Sequence, residues 1–156
     1  MKTFITGAAA AASLVLSVSA LGQSFTYNVV WEPVESIGGM TGTDGPQYGG
    51  GVVKGAYQTK FSDGSEQAGT VRCVGMDQPD GGIFTIHLAC TTSDSGGTTS
   101  LVYGCNYLGE AGPDTALGCV GGIESKSGDQ SGRRGGLTME WYSPTQSRGT
   151  GQWYGE

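Results

Sequence analysis

The sequence predicts an all-β protein: an antiparallel up-and-down barrel of about eight strands, or alternatively a two-sheet β-sandwich, with two disulfides. Three observations predict this class. Glycine is very frequent, with 30 of 156 residues, and turn-forming residues interrupt the chain about every eight to twelve residues. The runs between them are short and rich in Val, Ile, Thr, Tyr, Phe and Trp, which favour strands. The four cysteines lie where facing residues of neighbouring strands would lie.

The first residues have the pattern of a secretory signal peptide. Lys2 precedes an uncharged, apolar stretch that ends in Val18-Ser19-Ala20, the small residues that a signal peptidase prefers. The stretch is shorter than the ~20 residues that a membrane-spanning helix needs. We therefore expect residues 1–20 to be a cleaved signal peptide and residues 21–156 to form one all-β domain that is secreted or periplasmic.

The charge of the chain limits its partners. The formal net charge is −6, and it becomes about −7 when Lys2 is removed with the signal peptide. An acidic chain without a basic stripe is not suited to nucleic acid or to an anionic membrane surface. We expect no membrane span after cleavage, and the sequence leaves the oligomeric state open.

Each predicted strand is a short apolar and β-branched run between turn signals. The eight strands are predicted at residues 24–32, 51–61, 65–74, 83–91, 98–106, 115–123, 136–142 and 148–154. Two longer stretches, 35–50 and 124–132, are predicted to be loops because they are dominated by glycine and polar residues. This spacing fits consecutive antiparallel hairpins, which must close or fold over to bury their shared apolar face.

The cysteine positions predict both strand register and disulfide pairing. Turn signals near residues 81 and 112 lie midway between Cys73 and Cys90 and between Cys105 and Cys119, and Gly96-Gly97 lies about one residue before the midpoint of Cys90 and Cys105. This arrangement predicts all four cysteines at one level on adjacent strands. Period-two alternation puts each cysteine on the apolar face of its strand, and Phe84 and Ile86 share that face with Cys90. Adjacent strands lie ~4.8 Å apart and bridged Cα atoms within ~7 Å. Only one connectivity joins neighbouring strands twice: Cys73–Cys90 with Cys105–Cys119.

The hairpin between the second and third predicted strands has two possible registers. A two-residue turn would place Lys54 opposite Cys73 in the core, and a buried lysine is costly. A three-residue loop, Ser62-Asp63-Gly64 with Gly64 left-handed, places Val53 there instead. It also turns Tyr57 and Phe61 inward, so we predict this register.

In the last hairpin, Leu137, Met139 and Trp141 share one face. A turn centred on Thr145 would set two glycines opposite the larger of these side chains and leave room for them. The predicted pairs are Gly149 with Trp141 and Gly151 with Met139.

The sequence contains no recognisable catalytic or metal-binding constellation. His87, the only histidine, is predicted on the outward face of its strand and could serve as a general base only if it lay elsewhere. Asp77 and Asp80 could form a carboxylate pair, but both lie in a predicted turn, where aspartate is favoured for its backbone hydrogen bonds. The cysteines lack the spacing of a zinc site. We therefore predict no catalytic residue, no metal and no cofactor.

Aromatic side chains are the remaining candidates for a binding site. Such rings can line a ligand cavity or simply fill a core. Five are predicted as ligand-binding residues: Tyr27, Trp31, Tyr103, Trp141 and Trp153.

Residues 119–153 contain Cys119-Val120-Gly121-Gly122, Ser131-Gly132-Arg133-Arg134-Gly135-Gly136 and Gly149-Thr150-Gly151-Gln152-Trp153. This stretch resembles the closing hairpins of small exported barrels of the allene-oxide-cyclase, dirigent-like or calycin-like group. The resemblance implies an eight-stranded barrel with an internal cavity, and no catalytic position of that group is matched. We expect an exported barrel that binds a small apolar ligand or a partner protein without catalysis. A cavity enzyme of cyclase or isomerase type and a structural or inhibitory envelope protein are the alternatives.

Overall fold

A computed structural model describes residues 22–39, 48–78, 82–112 and 114–155. The predicted signal peptide lies outside these residues. The described part is all β and contains no helix. Its strands are β1 (Ser24–Trp31), β2 (Glu35–Gly38), β3 (Gly49–Phe61), β4 (Glu66–Asp77), β5 (Ile86–Asp94), β6 (Gly97–Tyr107), β7 (Leu117–Ser125), β8 (Arg134–Ser143) and β9 (Gln146–Trp153).

Eight of the strands form a closed antiparallel barrel. Each strand pairs with the next along the chain from β3 to β9, and β1 pairs with both β9 and β3. Closure satisfies the backbone groups that an open sheet would leave at its edges. The prediction of an up-and-down barrel is confirmed, and the sandwich alternative does not apply.

The short strand β2 is an addition that the sequence analysis missed, since residues 35–50 were predicted to be a loop. β1 pairs with the second half of β3, and β2 pairs with its first four residues, Gly49–Val52. Facing residue numbers add up to 86 between β1 and β3 (25 + 61) and to 87 between β2 and β3 (35 + 52). The segment between β1 and β2, near Pro33, therefore contains one residue more than a continuous strand would need. β2 forms because β3 is longer than β1 and offers an unpaired edge, not because its own residues favour a strand.

The barrel interior is formed by alternate residues of each strand. In β1 every second residue is buried, from Phe25 to Trp31. The other strands contribute aliphatic side chains, Tyr103, Met139 and the four cysteines to the same core. A single apolar face that is hidden by closure therefore accounts for most of the hydrophobic burial.

The two predicted disulfides are confirmed, but their predicted alignment is wrong. Cys73 bonds to Cys90 and Cys105 to Cys119, each within a directly facing pair. Across β5 and β6, however, Cys90 faces Leu101 instead of Cys105. The two bridges are therefore offset by four residues, or about 13 Å along the strands.

The β5–β6 turn explains this offset. The turn consists of only two residues, because Asp94 already pairs with Gly97. The Asp94 carboxylate accepts a hydrogen bond of 2.6 Å from the Gly96 amide and so stabilises the tight turn. A register in which Cys90 faces Cys105 would need a turn centred two residues later, and a shift in the turn moves the whole register.

The register predicted for the β3–β4 hairpin is confirmed. Val53 faces Cys73, and Gly64 has a φ of 86° in the loop that follows Phe61. Tyr57 and Phe61 pack against the core, as expected.

The register predicted for the last hairpin is off by two residues. Gly149 faces Met139 and Gly151 faces Leu137, while Trp141 faces Ser147. The Pro144-Thr145 turn is centred about half a residue before the predicted centre, and an irregularity between Trp141 and Ser143 accounts for the rest of the shift. The glycines still make room for large side chains, but these are Tyr27 and Phe25 of β1.

Phe84 is a further correction, because it was predicted to share the inner face with Cys90. β5 begins only at Ile86, so the period-two pattern does not extend back to residue 84. The Phe84 ring instead lies over Gly104, where an added Cβ would come within 2.2 Å of it. Gly104 pairs with His87 and Val120 on the outward side of the sheet, so Phe84 covers the outer wall.

Candidate functional site

The barrel has two ends with different loops. The β2 end carries β2, the segments between β4 and β5 and between β6 and β7, and the β8–β9 turn. The terminal end carries the start of β1, the end of β9 and the remaining hairpin turns. Each end has a pocket, and between them the barrel is closely packed.

Two tyrosines fill the centre of the barrel. Tyr27 donates a hydrogen bond of 2.7 Å to the Thr138 carbonyl oxygen, and its hydroxyl lies 3.0 Å from that of Tyr103. Since Tyr27 has one proton to donate, Tyr103 is the donor between the two hydroxyls. Burial raises the pKa of both phenols above its usual range. Both therefore remain neutral and satisfied, which is the arrangement of a structural core.

Four of the five predicted ligand-binding residues surround the cavity beside these tyrosines. Tyr27, Trp31, Tyr103 and Trp153 all line it, and its volume is about 80 Å³. A space of this size holds a few water molecules, while an apolar cavity of roughly 150 Å³ is needed for a benzene ring. The interior as it stands has no room for a larger organic molecule, and a ligand role for these four residues stays a prediction.

The terminal end of this cavity is polar. Tyr57 donates a short hydrogen bond to Asp94, whose other carboxylate oxygen accepts from Gly96. Burial first, and then the Asp94 carboxylate, raise the pKa of Tyr57. One oxygen of Asp94 accepts from Tyr57 and the other from the turn amide, so this carboxylate has a structural role.

The β2 end contains a much larger pocket of about 900 Å³, which we call the β2-end pocket. Its size falls within the range of roughly 300–1,000 Å³ that is usual for small-molecule sites. Its wall consists of inward side chains in the parts of the strands nearest the β2 end: Val53, Ile86, Leu88, Tyr107, Leu117 and Trp141. Its rim includes exposed apolar residues of β2 and its neighbours: Val34, Ile37 and Met76.

A pair of stacked tryptophans separates the β2-end pocket from the core. The rings of Trp31 and Trp141 lie 4.5 Å apart at an angle of 12°. Trp31 is buried on the inner side, and its indole nitrogen donates a hydrogen bond of 2.9 Å to the buried Ser147 hydroxyl. Trp141 is less buried and lines the pocket. It is the one predicted ligand-binding residue found there, on a floor fixed by packing and a buried hydrogen bond.

Glycines form part of the pocket mouth. Gly49, Gly50 and Gly51 of β3 and Gly75 of β4 all line it. A Cβ at Gly75 would come within 2.7 Å of the Leu88 side chain, and one at Gly50 within 2.7 Å of the Gly75 carbonyl oxygen. Close strand contact at the mouth therefore depends on the absence of side chains there.

The ionisable groups that line the β2-end pocket are Asp77, Asp114, Tyr107 and Tyr142. The described lining contains no histidine, lysine or arginine. His87 lies on the outer wall as predicted, beside the Phe84 ring, and its buried Nδ1 has no hydrogen-bond partner within the described ranges. Asp80, the proposed neighbour of Asp77, lies outside the described residues. No group of three potential metal ligands occurs among the residues that the structure describes.

Sequence reasoning missed most of this pocket. Ile86, Leu88 and Leu117 were placed on the inner face, but nothing indicated that they would end at the same rim as Tyr107 and Trp141. That rim is set by strand register. The predicted register across β5 and β6 was wrong by four residues, since Cys90 faces Leu101 and not Cys105. Strand direction in an up-and-down barrel could have placed these residues at the same end, but their common level also requires the correct registers.

Comparisons with models of known families, with curated proteins and with solved structures found no significant match to this chain. One feature still restricts its location. The two disulfides indicate an oxidising, non-cytoplasmic location. The described residues include no helix long and apolar enough to cross a membrane.

Proposed function

We propose that this protein binds a small apolar ligand in the β2-end pocket and does not catalyse a reaction on it. The observation that carries the proposal is the pocket itself, with its size, its apolar wall and its rigid Trp141 floor. Pockets of this kind, with a few polar groups at the edge, are the usual form of small-molecule sites.

The role of the barrel in this proposal is to hold the pocket wall in place. Four of the wall residues, Ile86, Leu88, Tyr107 and Leu117, lie on strands that the two disulfides join to a neighbour. The Trp31–Ser147 hydrogen bond holds the tryptophan that packs beneath the floor. A wall that is formed before the ligand arrives lowers the ordering cost of binding. We therefore expect little change in the strands when the ligand binds.

The proposal of binding without catalysis is supported by the chemistry of the lining. General acid–base catalysis needs a positioned group that can exchange a proton near neutral pH, most often histidine. His87 is on the outer wall, and Asp77 and Asp114 have no charged partner among the described residues that would pair them for catalysis. An export signal, which the sequence predicts, would place this binding protein outside the cytoplasm.

Titration with N-phenyl-1-naphthylamine, a neutral and apolar fluorescent probe, tests the proposal. A probe of this size, at roughly 0.3 kcal/mol per non-hydrogen atom, is expected to bind with a Kd of about 200 µM. Saturable binding at one site per chain is the expected result. If the probe stays unbound at about 1 mM, the pocket does not bind apolar ligands and the proposal fails.

Two matched substitutions locate the bound probe. Ile37 and Val30 are both exposed aliphatic residues, at 65% and 61%, but only Ile37 lines the β2-end pocket. Ile37→Ser is expected to weaken binding about fivefold because it removes apolar contact area, and Val30→Ser is expected to leave the Kd unchanged. Equal effects of the two substitutions would place the probe elsewhere on the protein.

A further inference from the structure

We infer that the ligand of the β2-end pocket is an organic cation: a molecule with an apolar or aromatic body and an ammonium or similar group. This inference rests on the proposed function and adds the chemical class of the ligand. It is based on how charge is distributed between the two ends of the barrel and on the two carboxylates in the pocket lining.

Charge is divided unevenly along the barrel. The described segments of the β2 end, residues 32–39, 48–52, 74–78, 82–87, 107–112, 114–117 and 141–146, contain no lysine or arginine. Their described acidic residues are Glu32, Glu35, Asp77, Glu110 and Asp114. The basic residues Lys60, Lys126, Arg133 and Arg134 lie at the terminal end instead. The potential at the pocket mouth is therefore negative, which raises the local concentration of cations and speeds their approach.

Three basic side chains lie between this end and the terminal end: Lys54, Arg148 and Arg72, which faces Lys54 across β3 and β4 and forms no ion pair with a described residue. Lys54 lies 3.6 Å from the Glu35 carboxylate, and Arg148 lies 2.8 Å from that of Glu140. Neither of them pairs with a carboxylate of the pocket lining. The negative charge in the pocket is therefore not neutralised by the protein among the residues that the structure describes.

Asp77 and Asp114 place this charge where a ligand would contact it. Both line the β2-end pocket, and neither forms an ion pair within the described part of the chain. Asp77 is half-buried at the end of β4, where its carboxylate lies beside Gly49. A carboxylate that borders an apolar wall is suited to a cation whose body rests on that wall.

The aromatic wall adds a second interaction with the same preference. Trp141 and Tyr107 both line the pocket, and aromatic faces attract ammonium groups. Two rings of the protein already hold a cation: Arg148 lies 5.3 Å from the ring centre of Tyr142, which also lines the pocket, and Arg133 lies 5.5 Å from that of Trp153 at the terminal end. Both carboxylates would repel an anionic ligand. The described residues contain no group of three potential metal ligands that would favour a metal ion over an organic cation.

The test uses three ligands of nearly the same shape that differ in charge: 1-naphthylmethylamine, 1-naphthalenemethanol and 1-naphthoate. Each displaces the neutral fluorescent probe at low ionic strength. We expect the amine to bind about tenfold more tightly than the alcohol, which corresponds to about 1.4 kcal/mol, and the carboxylate to bind least tightly. Sodium chloride at about 0.5 M should remove most of the difference by screening.

Variants assign the preference to the pocket. Asp77→Asn together with Asp114→Asn is expected to reduce the amine-to-alcohol ratio, measured within the same variant, to about twofold or less. Glu66→Gln removes the same type of charge at the exposed terminal end and should leave the ratio near tenfold.

The possible outcomes separate this inference from the proposed function. If the alcohol binds in the pocket and the amine binds no better, the cation inference is wrong and the apolar-ligand proposal stands. If none of the ligands or the probe binds, the proposed function itself fails. If the amine is preferred equally by the double variant and by Glu66→Gln, the preference comes from overall charge, and the assignment to Asp77 and Asp114 is refuted.

Discussion

Gly151 tests how closely the barrel interior is packed. It faces Phe25 of β1, and the Phe25 ring occupies the space where a side chain would be. A Cβ at Gly151 would lie 2.2 Å and 2.5 Å from two atoms of that ring and meets no other atom so closely. Gly151→Ala therefore forces the Phe25 ring to move within a packed core.

The expected magnitude is the difference between two opposing effects. Overpacking a core costs typically 1–3 kcal/mol, while replacing glycine with alanine stabilises by about 0.4–1 kcal/mol through the unfolded chain. We expect Gly151→Ala to lower the free energy of unfolding by about 1–2 kcal/mol. For a domain of this size, that lowers Tm by roughly 3–8 °C.

Urea unfolding followed by tryptophan fluorescence measures this change, and Gly109→Ala is the control. A Cβ at Gly109 would meet only the Thr115 methyl group at an ordinary 3.6 Å. Gly109→Ala should therefore leave stability unchanged or raise it by up to about 1 kcal/mol. The comparison separates packing from the backbone effect that both substitutions share.

A double-mutant cycle with Phe25→Leu identifies the clash. Leucine removes the ring atoms that the new Cβ would meet, so the double variant should be less destabilised than the sum of the two single variants. The expected coupling is about 1 kcal/mol or more. If Gly151→Ala costs less than about 0.5 kcal/mol, or if the two effects simply add, the reasoning about the ring over Gly151 is refuted.

Three further predictions concern the interior. Ser147→Ala should lower the free energy of unfolding by about 1–3 kcal/mol in urea titrations, since it leaves the buried Trp31 indole N–H without its partner; an unchanged midpoint would contradict this. Replacing both cysteines of the β6–β7 bridge with alanine should cost about 3 kcal/mol, because that bridge closes a loop with a sequence separation of 14; no loss under oxidising conditions would count against it. The pKa values of Tyr27 and Tyr103 are raised in the folded state, so the stability from these neutral phenols is complete below about pH 10 and falls as pH rises above it. Absorbance at alkaline pH should show them ionising only together with unfolding, and an early, separate titration of all seven tyrosines would refute their burial.

Local patterns in the sequence were sufficient for the class of fold. Period-two alternation identified the inner face of most strands, and the turn signals between cysteines identified which strands are neighbours. The disulfide connectivity followed because only adjacent strands bring Cα atoms close enough. The β3–β4 register also followed, because the alternative would have buried Lys54.

Exact registers were less predictable where several turns fit the same residues. The β5–β6 segment offers both Gly96 and Gly97 as turn residues, and the last hairpin offers Pro144 and Thr145. A difference of one residue in the turn centre moves facing pairs by two, so cysteines predicted at one level are offset in the barrel. β2 shows a related limit, because its pairing depends on the free length of β3 and not on its own composition.

The sequence by itself determined the alternation of inner and outer residues, the neighbouring strands and the two disulfides, since each depends on the chain within one hairpin. Only the tertiary structure decided how the barrel closes, that four predicted aromatic residues fill a nearly solid interior, and that Trp141 joins Asp77 and Asp114 at a pocket on the β2 end. The physical reason is that barrel closure brings together strand ends far apart in sequence. Which side chains share a rim then depends on the summed registers of all eight strands.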